Sequence, residues 1–547
     1  MMKKYILLSV ALLTFTVSCN NSDDNNIIDK QPQGLQFSFS EEGHGEDEVL
    51  SRATVNQPTR TETVDLGDCE AEVSVESEPA EKQPQVATRG ISGKHYTIRA
   101  YQGGVRIAEI KGQFYSSTFY PDAGSKRKFT LPKGIYEFVA FNDKVTPNGE
   151  NLEVSNSNMQ EARIGTTTVN INQDDDMEIA FEMKHVCARL RTQFVCQKHI
   201  PNNITATLEE TAANVIPASV SYNPITKVYT ATNAPMAAKN CDSYADNRNI
   251  YAASTYGQNY AYNSTSKYHY FMPTTSGANL KFTFNAGIVF IKTTVAGTLP
   301  QINTALSMQP NKSYLVKIKL KPKFKYLFSD GTTGFRSETT YGGAPAATAK
   351  TPIGVVVKDN DGTPSSGIAM ALEYANGGNL TAWGPVHNYA NKLMYQYKGN
   401  MKEYSGYDIT WNPATSYDGV TVKGNSTTYP SFYQAGHYAP AVPVTGANVS
   451  KWYLPAGMEM YAVLKNLYFS REHGISSHGY YSGGYGYLLE QAVTQVGGSL
   501  TMNKAICAAT EDNDRIFEFY AFFYNGLYFS IGNKQTDRAN VRPFVRF

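Results

Sequence analysis

The sequence predicts a mainly β protein: two tandem β-sandwiches followed by an α+β domain. Short stretches of alternating apolar and polar residues recur at regular spacing from about residue 95 to residue 322. The chain is rich in Tyr (38) and Gly (43), and only 18% of its residues are charged. All three tryptophans and two segments of helical periodicity lie in the last third. With 547 residues, 41% of them apolar, the chain can bury several hydrophobic cores.

The balance of charge excludes one class of partner. Lys and Arg number 49 against 48 Asp and Glu, a formal net charge of +1. Binding to nucleic acid or to an anionic membrane surface relies on a surplus of basic residues. We therefore expect no nucleic-acid partner.

The N-terminus carries an export signal. Lys3 and Lys4 precede the apolar stretch Tyr5–Val17, which is too short to span a membrane and has the length of a signal peptide. The segment that ends at Cys19 resembles the lipobox of bacterial lipoproteins, with Thr16 in place of the usual Leu. The resemblance implies a signal peptide at 1–18 and acylation of Cys19, which would anchor the chain in a membrane. The alternative is an ordinary signal peptide with an incidental cysteine.

The residues after Cys19 predict where the protein resides. Residues 19–33 are polar and acidic, typical of a flexible tether. Asn20–Asn26 also resembles the acidic export tag of surface lipoproteins of Bacteroidetes. The expected location is therefore the outer face of the cell outer membrane.

The other cysteines do not form a recognisable framework. They are scattered, lack a CxxC pair and have no zinc-site spacing. We expect buried free thiols, with one disulfide still possible, at Cys69, Cys187, Cys196, Cys241 and Cys507.

The strand pattern divides the front of the chain into sandwiches at 34–183 and 184–322. Gly34–Ser40 alternates as a short strand, and Tyr96–Tyr101 begins the regular series. Further predicted strands include Val186–Phe194 and Tyr314–Leu320.

The last part of the chain, 323–547, is predicted to be the α+β domain. Met458–Tyr468 and Leu488–Val496 have helical periodicity, and Gly497 ends the second helix. The final segment, Val541–Phe547, alternates like an internal strand of a globular domain.

Residues 34 to about 322 resemble the fimbrillin-like proteins of Bacteroidales pili. The resemblance is carried by Tyr96–Tyr101, Leu131–Phe138 and His185–Arg191, in this order after a lipobox. It implies two transthyretin-like β-sandwiches, export as a surface lipoprotein and assembly with other pilus subunits.

Residues from about 326 onward resemble the C-type-lectin-like domains of Bacteroidetes surface lipoproteins. The match runs through Tyr326–Gly331, Trp452–Ala456 and Val541–Phe544. The sequence lacks the Glu-Pro-Asn, Gln-Pro-Asp and Trp-Asn-Asp tripeptides of calcium-dependent lectins. We therefore expect a ligand-binding domain without a metal or cofactor.

In the fimbrillin-like family, a strand of one subunit completes the sheet of its neighbour after proteolysis behind the first strand. Arg52, Arg60 and Arg89 are candidate cleavage sites, and Arg52 is favoured because it is nearest to Phe37–Ser40. Each arginine could equally be an ordinary solvated loop residue. Because the C-terminal segment looks consumed in its own domain, the chain is expected to accept a strand without donating one.

Aromatic residues of the last third are the candidate ligand contacts. A Tyr side chain offers a flat apolar face for a sugar or peptide and a hydroxyl for hydrogen bonding. The alternative for each residue is a packing role, which is favoured for Trp452 because a large aromatic that enters a helix is usually buried. The candidates are Tyr480, Tyr481, Tyr485 and Tyr487, with Trp383 and Trp411.

Together these features predict a fimbrial subunit, with tip adhesin the preferred role. Its partners would be other pilus subunits through strand complementation, a glycan or protein ligand, and the outer membrane through lipid at Cys19. The alternatives are a pilus anchor or minor subunit without adhesive role, and a surface glycan-binding lipoprotein. No enzyme motif such as GxSxG, HExxH or a P-loop is present, so we expect no catalytic activity.

Overall fold

The chain is represented by a computed structural model. The structure describes residues 35–44, 62–67, 69–77, 93–115, 118–125, 131–172, 177–244, 247–248, 260–290, 296–392, 405–467, 479–482, 485–524 and 526–547. These residues form a mainly β protein, which confirms the predicted fold class. Within them, no helix is both long and apolar enough to cross a membrane.

The strands follow one another closely along the chain. The first eleven are β1 (Gln36–Glu41), β2 (Glu62–Asp65), β3 (Cys69–Ser77), β4 (Lys94–Gln102), β5 (Val105–Tyr115), β6 (Thr118–Pro121), β7 (Gly134–Asn142), β8 (Thr146–Asn148), β9 (Asn151–Ser155), β10 (Arg163–Ile171) and β11 (Glu178–His185). The next eleven are β12 (Ala188–Cys196), β13 (Thr205–Glu210), β14 (Ile216–Asn223), β15 (Val228–Ala234), β16 (Lys239–Asn240), β17 (Asn247–Arg248), β18 (Tyr262–Thr265), β19 (His269–Phe271), β20 (Leu280–Ala286), β21 (Gly297–Leu299) and β22 (Ser313–Pro322). The last eleven are β23 (Lys325–Phe328), β24 (Thr333–Phe335), β25 (Pro352–Lys358), β26 (Ile368–Ala371), β27 (Thr381–Ala382), β28 (Gly479–Ser482), β29 (Ala505–Asn513), β30 (Ile516–Phe523), β31 (Gly526–Asn533), β32 (Arg538–Ala539) and β33 (Phe544–Arg546).

Among the described residues, the α-helices all lie in the last third. They are α1 (Gly406–Trp411), α2 (Pro430–Gly436), α3 (Gly457–Asn466) and α4 (Gly486–Thr494). Short 3₁₀ turns occupy Gly277–Asn279, Arg336–Glu338, Thr340–Gly342, Ala375–Gly378, Pro413–Thr415 and Lys423–Asn425. Both helices predicted from periodicity are present as α3 and α4, whereas α1 and α2 were not anticipated because each is only about two turns long.

The chain divides into two compact units that are discontinuous in sequence. The first contains Met1–Ser40, Ala87–Phe141 and Gly165–Met183, and the second contains the intervening segments and Lys184–Phe547. The predicted sandwiches at 34–183 and 184–322 are instead contiguous in sequence, and their bounds stay a prediction. The difference arises because pairing between distant strands leaves little trace in local periodicity.

The first unit is built on a seven-stranded sheet with the order β1-β11-β10-β7-β4-β5-β6. Its core is strongly aromatic, since β1, β4, β7 and β11 point alternate side chains to one face. The buried residues include Phe37, Phe39, Tyr96, Phe114, Tyr136, Phe138 and Phe181.

The middle of the second unit is a sandwich of two sheets. One sheet has the order β17-β18-β12-β22-β3-β2, with β19 also paired to β12, and the other has the order β16-β13-β20-β21. The rings of Phe194 in β12 and Phe284 in β20 approach to 6.1 Å between centroids across the core. A further sheet has the order β15-β14-β9-β8.

Strand β3 is an integral part of this sandwich. It pairs antiparallel with β22 from Tyr314↔Ser77 to Pro322↔Cys69. Cys69, Ala71 and Val73 lie in the core, so the segment between the two compact pieces of the first unit contributes structure to the second.

The C-terminal part combines a five-stranded sheet, β24-β23-β25-β26-β33, with a four-stranded sheet, β28-β31-β30-β29. Helix α3 begins where Glu459 folds back and accepts a hydrogen bond from the backbone N–H of Ala456 (2.8 Å). The same carboxyl accepts from the N–H of Gly406 (3.1 Å), which joins the starts of α3 and α1. Gly406 is required there, because a Cβ would meet the Leu454 carbonyl oxygen at 2.2 Å.

Candidate functional site: an edge strand and an aromatic surface

Strand β1 lies at one edge of the first unit's sheet, next to β11. The Gln36 N–H donates to the Met177 carbonyl (2.9 Å), and the Ser40 hydroxyl donates to the Phe181 carbonyl (3.3 Å). Both bonds join residues 141 positions apart, so the two strands advance in the same direction. An edge strand has one neighbour in its sheet and can leave without disturbing strands on its other side.

Two phenylalanines hold β1 in the core. Phe39 is 2% exposed and stacks on Tyr96, with ring centroids 4.2 Å apart and an angle of 8° between planes. It also contacts Phe181 at 5.4 Å and Phe114 at 5.1 Å. Phe37 meets other aromatic rings of the same core. Without β1, the edge of β11 and two aromatic pockets would be open, which is the arrangement that a complementing strand requires.

The candidate cleavage sites Arg52, Arg60 and Arg89 lie outside the described residues, as does the candidate lipidation site Cys19. Their order along the chain still distinguishes them. Arg52 and Arg60 fall between β1 and β2, whereas Arg89 follows β3. A cut at either of the first two separates β1 alone, while a cut at Arg89 also separates the strand that pairs with β22.

Burial corrects two of the predicted ligand contacts. Trp383 is completely buried, its Nε1 donates to the Ala508 carbonyl (2.7 Å), and it stacks on Phe517. Tyr485 is 8% exposed, and its hydroxyl accepts a hydrogen bond from the His199 N–H (3.0 Å). Both side chains are therefore used for packing, because a ring enclosed on both faces has no surface to offer a ligand.

The other predicted contacts have mixed environments. Tyr487 donates its hydroxyl to the Gln197 carbonyl, so it too joins the C-terminal part to the sandwich. Trp411 is half-buried, and its Nε1 donates to the Trp452 carbonyl (2.9 Å). Tyr480 and Tyr481 belong to β28 and pair with β31, rather than to a loop; their side chains lie outside the described residues. Trp452 is buried, as the sequence favoured.

A partly exposed aromatic pair lies elsewhere in the C-terminal part of the chain. Tyr389 and Tyr417 approach with ring centroids 5.5 Å apart, and Tyr417 is 61% exposed. Val420, which is 77% exposed, follows in the same turn. We name Tyr389, Tyr417 and Val420 the aromatic surface. These residues were not predicted, because nothing in their immediate sequence distinguishes the two tyrosines from other loop tyrosines.

A buried carboxylate fixes the loop that carries Tyr389. Glu511 in β29 is 1% exposed and accepts hydrogen bonds from the N–H groups of Ala390 and Asn391, between 2.8 and 3.0 Å. Its charge is paired with the buried ammonium of Lys534. Tyr417 is fixed to the same loop, since its N–H donates to the Ala390 carbonyl (3.1 Å). The aromatic surface is therefore preorganised by the core beneath it.

A group of ligand-type side chains in the second unit was also not predicted from the sequence. His44, His185 and Cys187 place one potential ligand atom each within 4.8 Å of one another. The only signal in the sequence is that His185 and Cys187 are two residues apart. His44 is 141 positions away from His185, so the sequence does not show that it joins them.

Sequence comparisons give no match: no family model and no curated protein matches the chain. Several solved structures are similar to parts of it. A candidate cell adhesion protein from Bacteroides ovatus has 10% identity and a TM-score of 0.30, over 54% of this chain and 98% of the other. One from Bacteroides uniformis has 14% identity and a TM-score of 0.28, over 42% and 91%. A fimbrial protein from Bacteroides ovatus has 12% identity and a TM-score of 0.23, over 95% and 100%.

Proposed function

We propose that this protein is a structural subunit of a cell-surface pilus that receives a strand from a neighbouring subunit. The observation that carries the proposal is β1, an edge strand whose Phe37 and Phe39 fill the aromatic core of the first unit. A donor strand with bulky apolar residues at alternate positions would reproduce its contacts, while its backbone would bond to the edge of β11.

Removal of β1 requires a cut between β1 and β2. Arg52 and Arg60 meet this condition, whereas a cut at Arg89 alone leaves β1 covalently joined to β3. Since β3 is buried against β22, it would retain the whole segment. We therefore favour Arg52 or Arg60 as the maturation site.

We further propose that the subunit occupies the tip of the fibre. Val541–Phe547 is already committed to the C-terminal domain, where β33 pairs with β26 and Phe544 and Val545 are fully buried. Extracting this segment to complete a neighbour would expose several apolar side chains, each worth about 1.5–3 kcal/mol. These residues are thus poorly suited to serve as a donor strand.

At the tip, the aromatic surface would meet the ligand. Stacked or adjacent Tyr rings present apolar faces to sugar C–H groups or to peptide side chains, and their hydroxyls supply hydrogen bonds. The chemistry fits a glycan or an extended protein segment. We also propose that Cys19 is acylated and that the protein is displayed on the outer membrane. This is the route by which the subunit would reach the fibre.

The assembly proposal is tested with the purified full chain and an Arg-specific protease. We expect digestion to release a fragment that contains β1, and the cleaved protein then to bind a synthetic peptide with the sequence of residues 34–44. The Arg52→Ala and Arg60→Ala variants identify the site, and Arg89→Ala is the matched control that should still release β1. Failure of the cleaved protein to bind any strand peptide contradicts the proposal, and growth of long homopolymers contradicts the tip position.

The adhesive role is tested separately on a glycan and matrix-protein array probed with the full chain. We expect Tyr417→Ala to abolish binding without changing thermal stability, because Tyr417 is largely exposed. The matched control is Tyr524→Ala, an exposed tyrosine of the same domain outside the aromatic surface. Equal binding by both variants would remove the aromatic surface from the proposal and favour an anchor or minor subunit.

A further inference from the structure

Three ligand-type side chains converge in the second unit from three separate parts of the chain. His44 follows β1, His185 ends β11, and Cys187 precedes β12. The Cys187 sulfur lies 3.6 Å from the His44 Nε2. One potential ligand atom from each residue lies within 4.8 Å of those of the other two.

We propose that His44, His185 and Cys187 bind a zinc ion, with water as the fourth ligand. Imidazole nitrogen and thiolate sulfur are the ligands that Zn²⁺ prefers. With Zn–S of about 2.3 Å, Zn–N of about 2.0–2.1 Å and a tetrahedral angle, sulfur and nitrogen on one ion lie roughly 3.5 Å apart. The separation between Cys187 and His44 already matches this distance.

The two imidazole rings need one adjustment. They now stack face to face, with centroids 3.9 Å apart and planes 15° from parallel. The lone pairs of parallel rings do not converge on a point, so one ring must turn about its side-chain torsions to bind. His44 lies outside β1, so a turn of its half-buried ring about the side-chain torsions does not require a strand to move.

Arg163 competes with the metal for His185. Its Nη2 donates to the His185 Nε2 at 2.8 Å. Ligation through Nε2 would displace this bond, and ligation through Nδ1 would place the proton on Nε2, which then could no longer accept from Arg163. In either case Arg163 must move away, and the Glu41 carboxylate, 3.6 Å from its Nε, is available as its partner.

The surrounding charges set the conditions for binding. Zinc binds the thiolate form of cysteine, so binding must release the proton of Cys187. Arg163 and Arg189 lie near His44 and oppose a cation, whereas the Glu41 carboxylate near His185 favours one.

A second Cys–His pair serves as the matched control. The Cys241 sulfur lies 3.8 Å from the His269 Nε2, nearly the same separation as in the proposed site. Among the described residues, however, no third ligand-type side chain joins this pair. A contact between one thiol and one imidazole is therefore insufficient, and the third ligand distinguishes the two places.

The test uses the full chain, purified and stripped of metal, titrated first with Co²⁺ and then with Zn²⁺. We expect one equivalent to bind, with the thiolate-to-cobalt charge-transfer band and the intense visible bands of tetrahedral Co²⁺, both lost when Zn²⁺ displaces it. Cys187→Ser and His44→Gln should weaken zinc binding at least tenfold, Cys241→Ser should leave it unchanged, and Arg163→Gln should tighten it. Circular dichroism of each metal-free variant checks that it is folded.

Several outcomes would overturn the proposal. They are the absence of the charge-transfer band, binding that survives both Cys187→Ser and His44→Gln, and an equal loss in Cys241→Ser, which would indicate adventitious sites. If Cys187→Ser does not fold, His44→Gln alone decides the question, since His44 belongs to a segment outside β11 and β12.

The zinc site would also control release of the β1 fragment after cleavage, a consequence that rests on the proposed function. A cut at Arg52 or Arg60 leaves His44 on the same fragment as β1, while His185 and Cys187 remain with the body of the protein. A bound metal would therefore hold the cut fragment in place and delay its exchange for a donor strand. We expect zinc to slow fragment release from the cleaved protein at least tenfold, and His44→Gln to abolish the difference. The cobalt spectrum reports on the metal site even if no strand exchange occurs. Failure of the zinc proposal can therefore be distinguished from failure of the proposed function.

Discussion

Replacing Phe39 by Ala tests how strongly β1 is held in its groove. Phe39 is 2% exposed and packs against four aromatic rings, with the Tyr96 centroid at 4.2 Å. Truncation of a buried Phe to Ala costs about 3–5 kcal/mol, which includes the lost apolar burial and the cavity left behind. At 1.4 kcal/mol per tenfold, the affinity of a cut β1 fragment should fall between about 100-fold and 4,000-fold.

The assay separates strand binding from folding. A site-specific protease sequence placed between residues 53 and 59 cuts the chain cleanly after β1 and before β2. Release of the N-terminal fragment, labelled with a fluorophore, is then followed by anisotropy in wild type and in Phe39→Ala. Gln36→Ala is the matched control, because the Gln36 side chain is exposed and the substitution keeps its N–H bond to Met177.

The expected result is rapid release in Phe39→Ala and release within about twofold of wild type in Gln36→Ala. Equal retention of the wild-type and Phe39→Ala fragments would refute the reasoning. It would mean that backbone pairing with β11, rather than the aromatic core, holds the strand.

Three further predictions concern the C-terminal domain. Glu511→Gln should lower the free energy of unfolding by about 3–5 kcal/mol in urea titrations, because it leaves the buried ammonium of Lys534 without its charge partner. The double variant with Lys534→Met should recover much of this loss. A change under 1 kcal/mol in the single variant would contradict the prediction. Burial raises the pKa of Glu518 to about 8 from an ordinary value near 4.5, so the unfolded state loses its proton first as the pH rises. The free energy of unfolding of the wild type should therefore fall by about 2–4 kcal/mol between pH 5 and pH 8. If the free energy of unfolding of a Glu518→Gln variant falls equally with pH, Glu518 is excluded as the cause. Trp383→Phe should lower the free energy of unfolding by about 1–3 kcal/mol, because the Ala508 carbonyl loses its buried donor. Ligand binding should be unchanged. A loss of binding with unchanged stability would show that Trp383 contacts the ligand.

Local periodicity was sufficient for the elements with strong patterns. Tyr96–Tyr101 lies within β4, Tyr314–Leu320 lies within β22, and the two predicted helices coincide with α3 and α4 to within two residues at every end. These segments succeed because burial of one face imposes a period of two or 3.6 residues on the sequence itself. The helices α1 and α2 were not predicted, because two turns contain too few residues to establish a helical period.

The sequence alone predicts that the chain is mainly β, that its front carries a short alternating strand at Gly34–Ser40, and that its last third mixes helices with strands. Only the tertiary structure decided which strands pair: Cys69–Ser77 joins β22, more than 230 residues away, and so belongs to the second unit. It also decided that Trp383 is buried, that Tyr417 is exposed, and that His44 meets Cys187. The physical reason is that periodicity reports which face of an element avoids water, whereas the identity of its neighbour depends on the shape and hydrogen bonding of residues far along the chain.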